Sequence, residues 1–452
     1  MVCPPQTKNL PKPHHSEVGL ADFEIIDRLS DLKALSKDLA KQDVIAVDTE
    51  ADSFYHYFDK TCLVQIATRK SCYLVDPLAL GGPAELRPLA PIFASPKIRK
   101  IFHAAEYDIF VLKRDCGFTF SNLYDTMVSA QLLGYPAIGL AALIEHHFGI
   151  KVPKDEQRSD WSRRPLTDKQ LDYAAGDVLY LVRLATKLEK ELRHASRLKW
   201  AHEEFEALTQ RQWPERTFDQ NGHMRIKGAK KLDPKALGVL RELYLMRDKR
   251  GREIDRPTFK VLGNRTLLEL AETKPSRLSE LADIKGVTDL ILRRMGRDIL
   301  DAIKQGKSSS RPPAPKLPSS NRKRIDRKTE RLVNQLKRWR ATRAQELELD
   351  PGVLCPNSSL EAIAWKNPEQ PKDLEEVEEL KGWFVKEFGE EVVAIARRDE
   401  HLDDAPATAA PDTKASPPES TSVPPTARKK KRRRRRKKKT APEGDPSDST
   451  EP

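Results

Sequence analysis

Asp48 and Glu50 stand two residues apart at the end of an apolar segment, VIAVDTE at 44–50. If that segment is a strand, its period of two sets both side chains on one sheet face. A third carboxylate, Asp108, closes the stretch FHAAEYD at 102–108. A fourth, Asp177, follows Tyr173 by four residues, so on a helix the phenol and the carboxylate share a face. Four acids brought from distant segments, with a phenol beside them, form an all-oxygen ligand set suited to hard ions such as Mg²⁺ or Mn²⁺ and unsuited to zinc. The chain holds 68 acidic residues, however, and the same spacing also fits solvated carboxylates at strand and helix ends.

The elements that would position these groups are legible as patterns. VIAVDTE, CLVQIA (62–67), CYLVD (72–76) and KIRKIFHA (97–104) are short and rich in branched residues, as strands are. Leu123 to Leu133, Leu140 to Phe148 and Leu171 to Leu192 carry apolar residues at helical spacing. Strands first and helices later predict an α/β domain, a mixed sheet covered by helices. Thr167 is the expected N-cap of the last helix, with Gln170 completing a capping box. Several neighbours receive plainer roles: Asp52 a solvated loop acid, Asp125 a helix N-cap, His103 a hydrogen-bonded structural histidine, and His146 and His147 helix-end residues. Trp161, just before the last helix with Arg164 and Pro165, is expected to bury against the sheet.

Five ordered motifs carry a resemblance. They are V-D-T-E at 47–50, T-C-L-V-Q-I-A-T-R at 61–69, K-I-F-H-A-A-E-Y-D at 100–108, D-T at 125–126, and S-D-W-S-R-R-P-L-T with D-Y-A-A-G-D-V-L-Y-L at 159–181. In order and spacing they resemble the ribonuclease D family of the DEDD exonuclease superfamily, over about residues 20–200. The resemblance implies a ribonuclease H-like fold and a site for two divalent ions, Mg²⁺ with Mn²⁺ as the alternative, held by Asp48, Glu50, Asp108 and Asp177, with Tyr173 orienting the attacking water. Tyr-x-x-x-Asp marks the tyrosine subclass, since the histidine version would need His where Asp172 stands. It further implies a metal-dependent 3′→5′ exoribonuclease that releases nucleoside 5′-monophosphates and trims structured RNA such as tRNA precursors. A DNA-directed exonuclease of the same superfamily and a non-catalytic RNA-binding scaffold are the alternatives.

The C-terminal half repeats itself. A shift of 93 residues lays Leu267 on Leu360, Ala271 on Ala364, Pro275 on Pro368, Leu281 on Leu374 and Gly296 on Gly389. Upstream, a small loop difference is expected to place Leu240 on Leu336 and Arg247 on Arg343. Helical spacing without a strand predicts two small all-α bundles, and both resemble HRDC domains, nucleic-acid-binding modules. The expected organisation is an N-terminal segment 1–19, a nuclease domain 20–205, HRDC domains at 225–306 and 325–400 joined by a basic linker 307–324, and a tail 401–452. Arg247, Lys249, Arg250, Arg252 and Lys260 are the candidate phosphate contacts, with Arg256 and Arg265 nearby.

Charge separates these parts. The chain of 452 residues has 81 Lys and Arg against 68 acids, a net of +13. Twelve of those cations form one run, Arg428 to Lys439. Residues 1–200 are nearly neutral, with 27 basic and 26 acidic residues, while 344–400 hold six basic and fifteen acidic. The second HRDC copy is therefore expected to dock on the linker or the nuclease domain, and the tail to tether RNA. No apolar run approaches the roughly 18 residues of a membrane span. The five cysteines contain no C-x-x-C pair, against a disulfide framework or a Cys-ligated zinc. The expected setting is a cytoplasmic monomer acting on RNA, away from membranes.

Overall fold

In the computed structural model, residues 22–153, 155–214, 217–308, 326–377 and 380–401 are described. The basic tail, most of the linker and the N-terminal segment lie outside them. Six strands form one sheet in the order β1 (Phe23–Ile26), β4 (Cys72–Val75), β3 (Thr61–Ala67), β2 (Val44–Ala51), β5 (Arg99–Phe102), β6 (Leu123–Asp125). β3 runs antiparallel to β2 and β4, and the remaining pairs are parallel, so the sheet is mixed as expected. β2 lies inside the sheet, and its side chains from Val44 to Val47 are buried, which explains its near-continuous apolar run.

Helices cover the sheet: α1 (Leu29–Leu39), α2 (Glu106–Cys116), α3 (Thr126–Leu132), α4 (Leu140–Phe148), α5 (Asp168–Leu179), α6 (Leu181–His194) and α7 (Leu198–Gln210). Two sequence readings change. Leu123 to Asp125 is a short buried strand and the helix starts only at Thr126, because Asp125 accepts hydrogen bonds from the amides of Met127 and Val128 as its N-cap. The helical stretch 171–192 is two helices, separated at Tyr180. β1 was not anticipated: four residues give too little alternation to stand out.

The repeat is more regular than the sequence suggested. α8 (Pro234–Glu253), α9 (Asn264–Thr273) and α10 (Asp289–Ser308) recur as α11 (Arg327–Glu346), α12 (Asn357–Lys366) and α13 (Gly382–His401), each displaced by 93 residues at both ends. No loop difference exists, so the counterpart of Arg247 is Arg340, not Arg343. Arg247 donates to Leu262 O and to Asn264 Oδ1 at 2.9 and 2.8 Å, and Arg340 donates to the matching Cys355 O and Asn357 Oδ1. Arg343 instead binds Glu391 through two nitrogens, at 2.8 and 2.6 Å. Asp255 and Glu348, equivalent by the same shift, both take positive φ, 45° and 55°.

The two copies use that shared turn to meet the nuclease domain at different places. At Asp255 the carboxylate accepts from the amides of Tyr57 and Phe58 at 2.9 and 3.1 Å and lies 2.6 Å from His56 Nδ1. At Glu348 the carbonyl lies so near Gly134 that a Cβ there would come within 1.9 Å of it, while Arg197 donates to the adjacent Leu347 O at 2.6 Å. The first copy keeps a core of its own, built from residues such as Leu240, Leu267, Leu281 and Ile299. The second is continuous with the nuclease core. There Trp383 stacks on Trp200 at 4.4 Å and 16°, and its indole N–H donates to Glu204 at 3.0 Å. The acidic copy thus docks on the nuclease domain through aromatic burial. Trp383→Ala is expected to destabilise the protein by about 3–5 kcal/mol, the usual cost of emptying a buried indole site. Urea unfolding measures this, and an unmoved transition would show that the stack contributes nothing.

Candidate active site

Asp48 and Glu50 project from one face of β2, where β3 pairs alongside (Asp48 opposite Gln65, Glu50 opposite Leu63) and the register slips just after Glu50. Pairing with β5 ends at Ala46, and the chain leaving β5 turns through residues 103–105 into α2, placing Asp108 in its first turn. Asp125 fixes that turn. Its carboxylate accepts from the amides of Ala104 and Ala105 at 3.1 and 2.8 Å in addition to capping α3, so a single N-cap ties two helix starts together. His103 Nδ1 lies 2.9 Å from Thr126 Oγ1, and burial pushes its imidazole down to about 4, which leaves it neutral at pH 7.

The fourth acid arrives on α5. The capping box at Thr167 and Gln170 is present, and Leu171, Ala174, Ala175 and Val178 are buried, which aims Tyr173 and Asp177 together from another side. The segment before α5 is pinned by Arg164, which grips both oxygens of Asp76 at 2.5 and 2.7 Å and donates to Cys62 O and Trp161 O, each at 2.8 Å. Trp161 is buried, as expected, with its ring 6.1 Å from that of Tyr173. Thr49, between the two strand acids, donates to Asp108 at 2.5 Å. That contact spans 59 residues of sequence and carries no local signal. Asp52 is not a solvated acid: it is fully buried, bonded by the Lys60 amide at 2.8 Å and the Lys60 ammonium at 2.6 Å, and closes the loop after β2.

All five predicted side chains, Asp48, Glu50, Asp108, Tyr173 and Asp177, line one cleft of about 440 Å³, together with Thr49 and His103. Asp48, Glu50 and Asp177 each offer an oxygen within 4.8 Å of the others. Among the described residues lining the cleft there is no Lys or Arg. Burial is the first cause that raises every carboxyl. Asp48 is held well above the usual range by burial and then by the charges of Asp108, Asp177 and Glu50, and Glu50 by burial, Asp177 and Asp108. Asp108 is pushed up to about 7 despite the Thr49 hydroxyl that pulls it down, and Asp177 to about 7 despite a hydrogen bond from Tyr173. Burial and the neighbouring carboxylates also raise the Tyr173 phenol, so it keeps its proton. Repelling carboxylates without a counter-charge, all presenting oxygen, fit divalent cations.

Of the residues nominated for phosphate contact, several already hold partners within the protein. Arg247 is buried and spends its guanidinium on the fold, which corrects its assignment as a contact. Arg250 faces Glu253 at 3.0 Å, and Arg252 bonds Asp248 and the Tyr57 hydroxyl, both at 2.9 Å. Lys249 is exposed. Lys260 is exposed with its Nζ 3.6 Å over the Tyr55 ring.

Residues 23–193 match the family model of a 3′-5′ exonuclease, and residues 236–303 and 329–395 each match that of the HRDC domain. Ribonuclease D of Desulfotalea psychrophila is 30% identical over 341 residues, covering 75% of this chain and 90% of that protein. Ribonuclease D of Gluconacetobacter diazotrophicus is 30% identical over 387 residues, with coverage of 84% and 94%. The crystal structure of the catalytic core of RRP6 from Trypanosoma brucei superimposes with a TM-score of 0.59 at 28% identity, over 66% of this chain and 83% of that one. Escherichia coli RNase D shares the fold at a TM-score of 0.59 and 22% identity, over 84% and 99%. No described helix is long and apolar enough to cross a membrane. Relatives aligned nearly end to end, with the exonuclease and both HRDC regions matched in order, establish that the chain belongs to the ribonuclease D family and is a 3′→5′ exoribonuclease.

Proposed function

We propose that this chain, working as a cytoplasmic monomer, trims the 3′ ends of structured RNAs such as tRNA precursors with two divalent ions, Mg²⁺ by preference, releasing nucleoside 5′-monophosphates. The observation that carries the reading is the cleft in which Asp48, Glu50 and Asp177, all half-buried, offer oxygens within 4.8 Å of one another and Asp108 and Tyr173 complete the lining. A single chain supplies all five side chains, and the two ribonuclease D relatives aligned nearly end to end are bacterial.

Divalent ions, when bound, lower the pKa of water, neutralise the phosphate and stabilise the leaving 3′-oxygen. Asp48, Glu50 and Asp177 would hold the ion that serves the attacking water, and Asp48 with Asp108, which Thr49 fixes, would hold the ion that serves the leaving group. The Tyr173 hydroxyl donates to Asp177, which leaves its oxygen lone pairs free to accept from the attacking water and set its direction. Water gives up a proton to solvent as its oxygen bonds to the terminal phosphorus, the bond from that phosphorus to the penultimate 3′-oxygen breaks, that oxygen takes up a proton to become a 3′-hydroxyl, and the 5′-mononucleotide departs.

Asp48→Asn is expected to abolish Mg²⁺-dependent release from 3′-tailed tRNA with the fold intact, read at single-nucleotide resolution beside matched DNA and EDTA controls. Wild-type rates in that variant would remove Asp48 from the site, and faster digestion of the DNA would favour a DNA-directed enzyme.

The raised carboxyls also make the metal-free fold sensitive to pH. Each binds its proton more tightly folded than unfolded, so their stabilising effect is complete below about pH 4 and is lost as pH rises through about 7. The melting temperature of metal-free protein should therefore fall between pH 5 and 8. Saturating Mn²⁺ should restore it by a few degrees, roughly the 2–3 kcal/mol expected at a hundredfold excess over Kd. A flat profile unaffected by Mn²⁺ would contradict the cleft's electrostatics.

A further inference from the structure

The loop after β2 meets the turn of the first HRDC domain at a junction that leaves large apolar side chains in water. Phe54 is 49% exposed, Phe58 61%, Phe259 56% and Ile254 43%. Phe54 and Phe259, one from each domain, meet edge to face at 6.5 Å and 76°. Exposed apolar side chains grouped in this way mark a surface that something else covers.

The loop is pinned by hydrogen bonds, and two exposed cations flank its rings. Asp255 clamps His56, Tyr57 and Phe58, the Asp52 carbonyl accepts from the amides of Tyr55 and His56 at 2.7 and 3.0 Å, and the Asp52 carboxylate holds Lys60. The rings are thus presented with little entropy left to lose. Lys260 stands over Tyr55, and the exposed Arg256 donates to Tyr55 O at 3.5 Å. The junction also adjoins the catalytic cleft. Phe54 lies four residues beyond Glu50, and the Tyr55 hydroxyl donates at 2.9 Å to the carbonyl of Arg158, next to the cleft-lining Gln157.

We propose that Phe54 and Phe259 form a stacking platform for unpaired nucleotides of the RNA strand that leads into the cleft, with Lys260 and Arg256 at its phosphates. The proposal rests on the ribonuclease reading above. Aromatic faces beside cations are the chemistry of single-stranded nucleic acid, and every base has a π-face, so such a platform suits an enzyme that removes nucleotides of any sequence. An apolar peptide would use the rings but leave the cations idle. The platform spans both domains, so it needs the first HRDC domain docked where it is.

The test compares a single-stranded RNA of about ten nucleotides with a dinucleotide too short to span cleft and platform, using the full-length chain with Mg²⁺. Phe54→Ala and Phe259→Ala should each raise KM for the longer RNA at least about fivefold, the equivalent of one lost base stack, with kcat and dinucleotide turnover unchanged. Phe54→Trp and Phe259→Trp should restore KM, and Lys260→Gln should flatten its salt dependence. Unchanged KM in the double alanine variant, or equal losses on both RNAs, would overturn the platform while leaving the nuclease assignment standing. A wild-type chain inert on both RNAs would overturn the ribonuclease reading and the platform with it.

Discussion

The withdrawal of four carboxylates from water into one cleft, with mutual repulsion added at Asp48 and Glu50, is the constraint around which this fold is arranged. Asp48, Glu50, Asp108 and Asp177 lie in one cleft; burial raises the proton affinity of all four, and the neighbouring charges raise that of Asp48 and Glu50 further. Such a cluster is held together from outside. β2 is fixed between β3 and β5, Asp125 ties the start of α2 to that of α3, and Arg164 anchors the approach to α5 on Asp76. None of these supports is itself a member of the acidic set. The cleft stores unfavourable charge that a divalent cation relieves, so binding energy is concentrated where the reaction needs positive charge.

Much of this was legible because local rules carried it. The period of two placed Asp48 and Glu50 together, the i, i+4 spacing placed Tyr173 beside Asp177, and Thr167 and Gln170 announced the start of α5. What stayed hidden depended on partners distant in sequence. The Thr49 to Asp108 bond and the bidentate Arg164 to Asp76 pair cross 59 and 88 residues. Asp52 looked like a loop acid because nothing local reveals that Lys60, eight residues on, turns back to cover it. Arg247 looked like a phosphate contact for the complementary reason: its charge is visible in sequence, while the carbonyl that absorbs it is not.

The repeat shows how one framework serves two ends. Arg247 and Arg340 do the same structural work in both copies, and Asp255 and Glu348 make the same left-handed turn. Substitution around that turn sends the copies apart. Asp255 offers a carboxylate to backbone amides beside the catalytic strand, whereas the second copy offers a carbonyl to Gly134 and an indole to Trp200. The net charge of +13 speaks for none of this, since the second copy, although acidic, docks through aromatic rings.

The central claim is that the cleft is built to hold divalent cations, and calorimetric titration of Mn²⁺ into the full-length protein tests it most directly. The account predicts two ions per wild-type chain and the loss of both, or a large drop in affinity, in Asp48→Asn. Binding that is absent in the wild type, or identical in the two proteins, would contradict it.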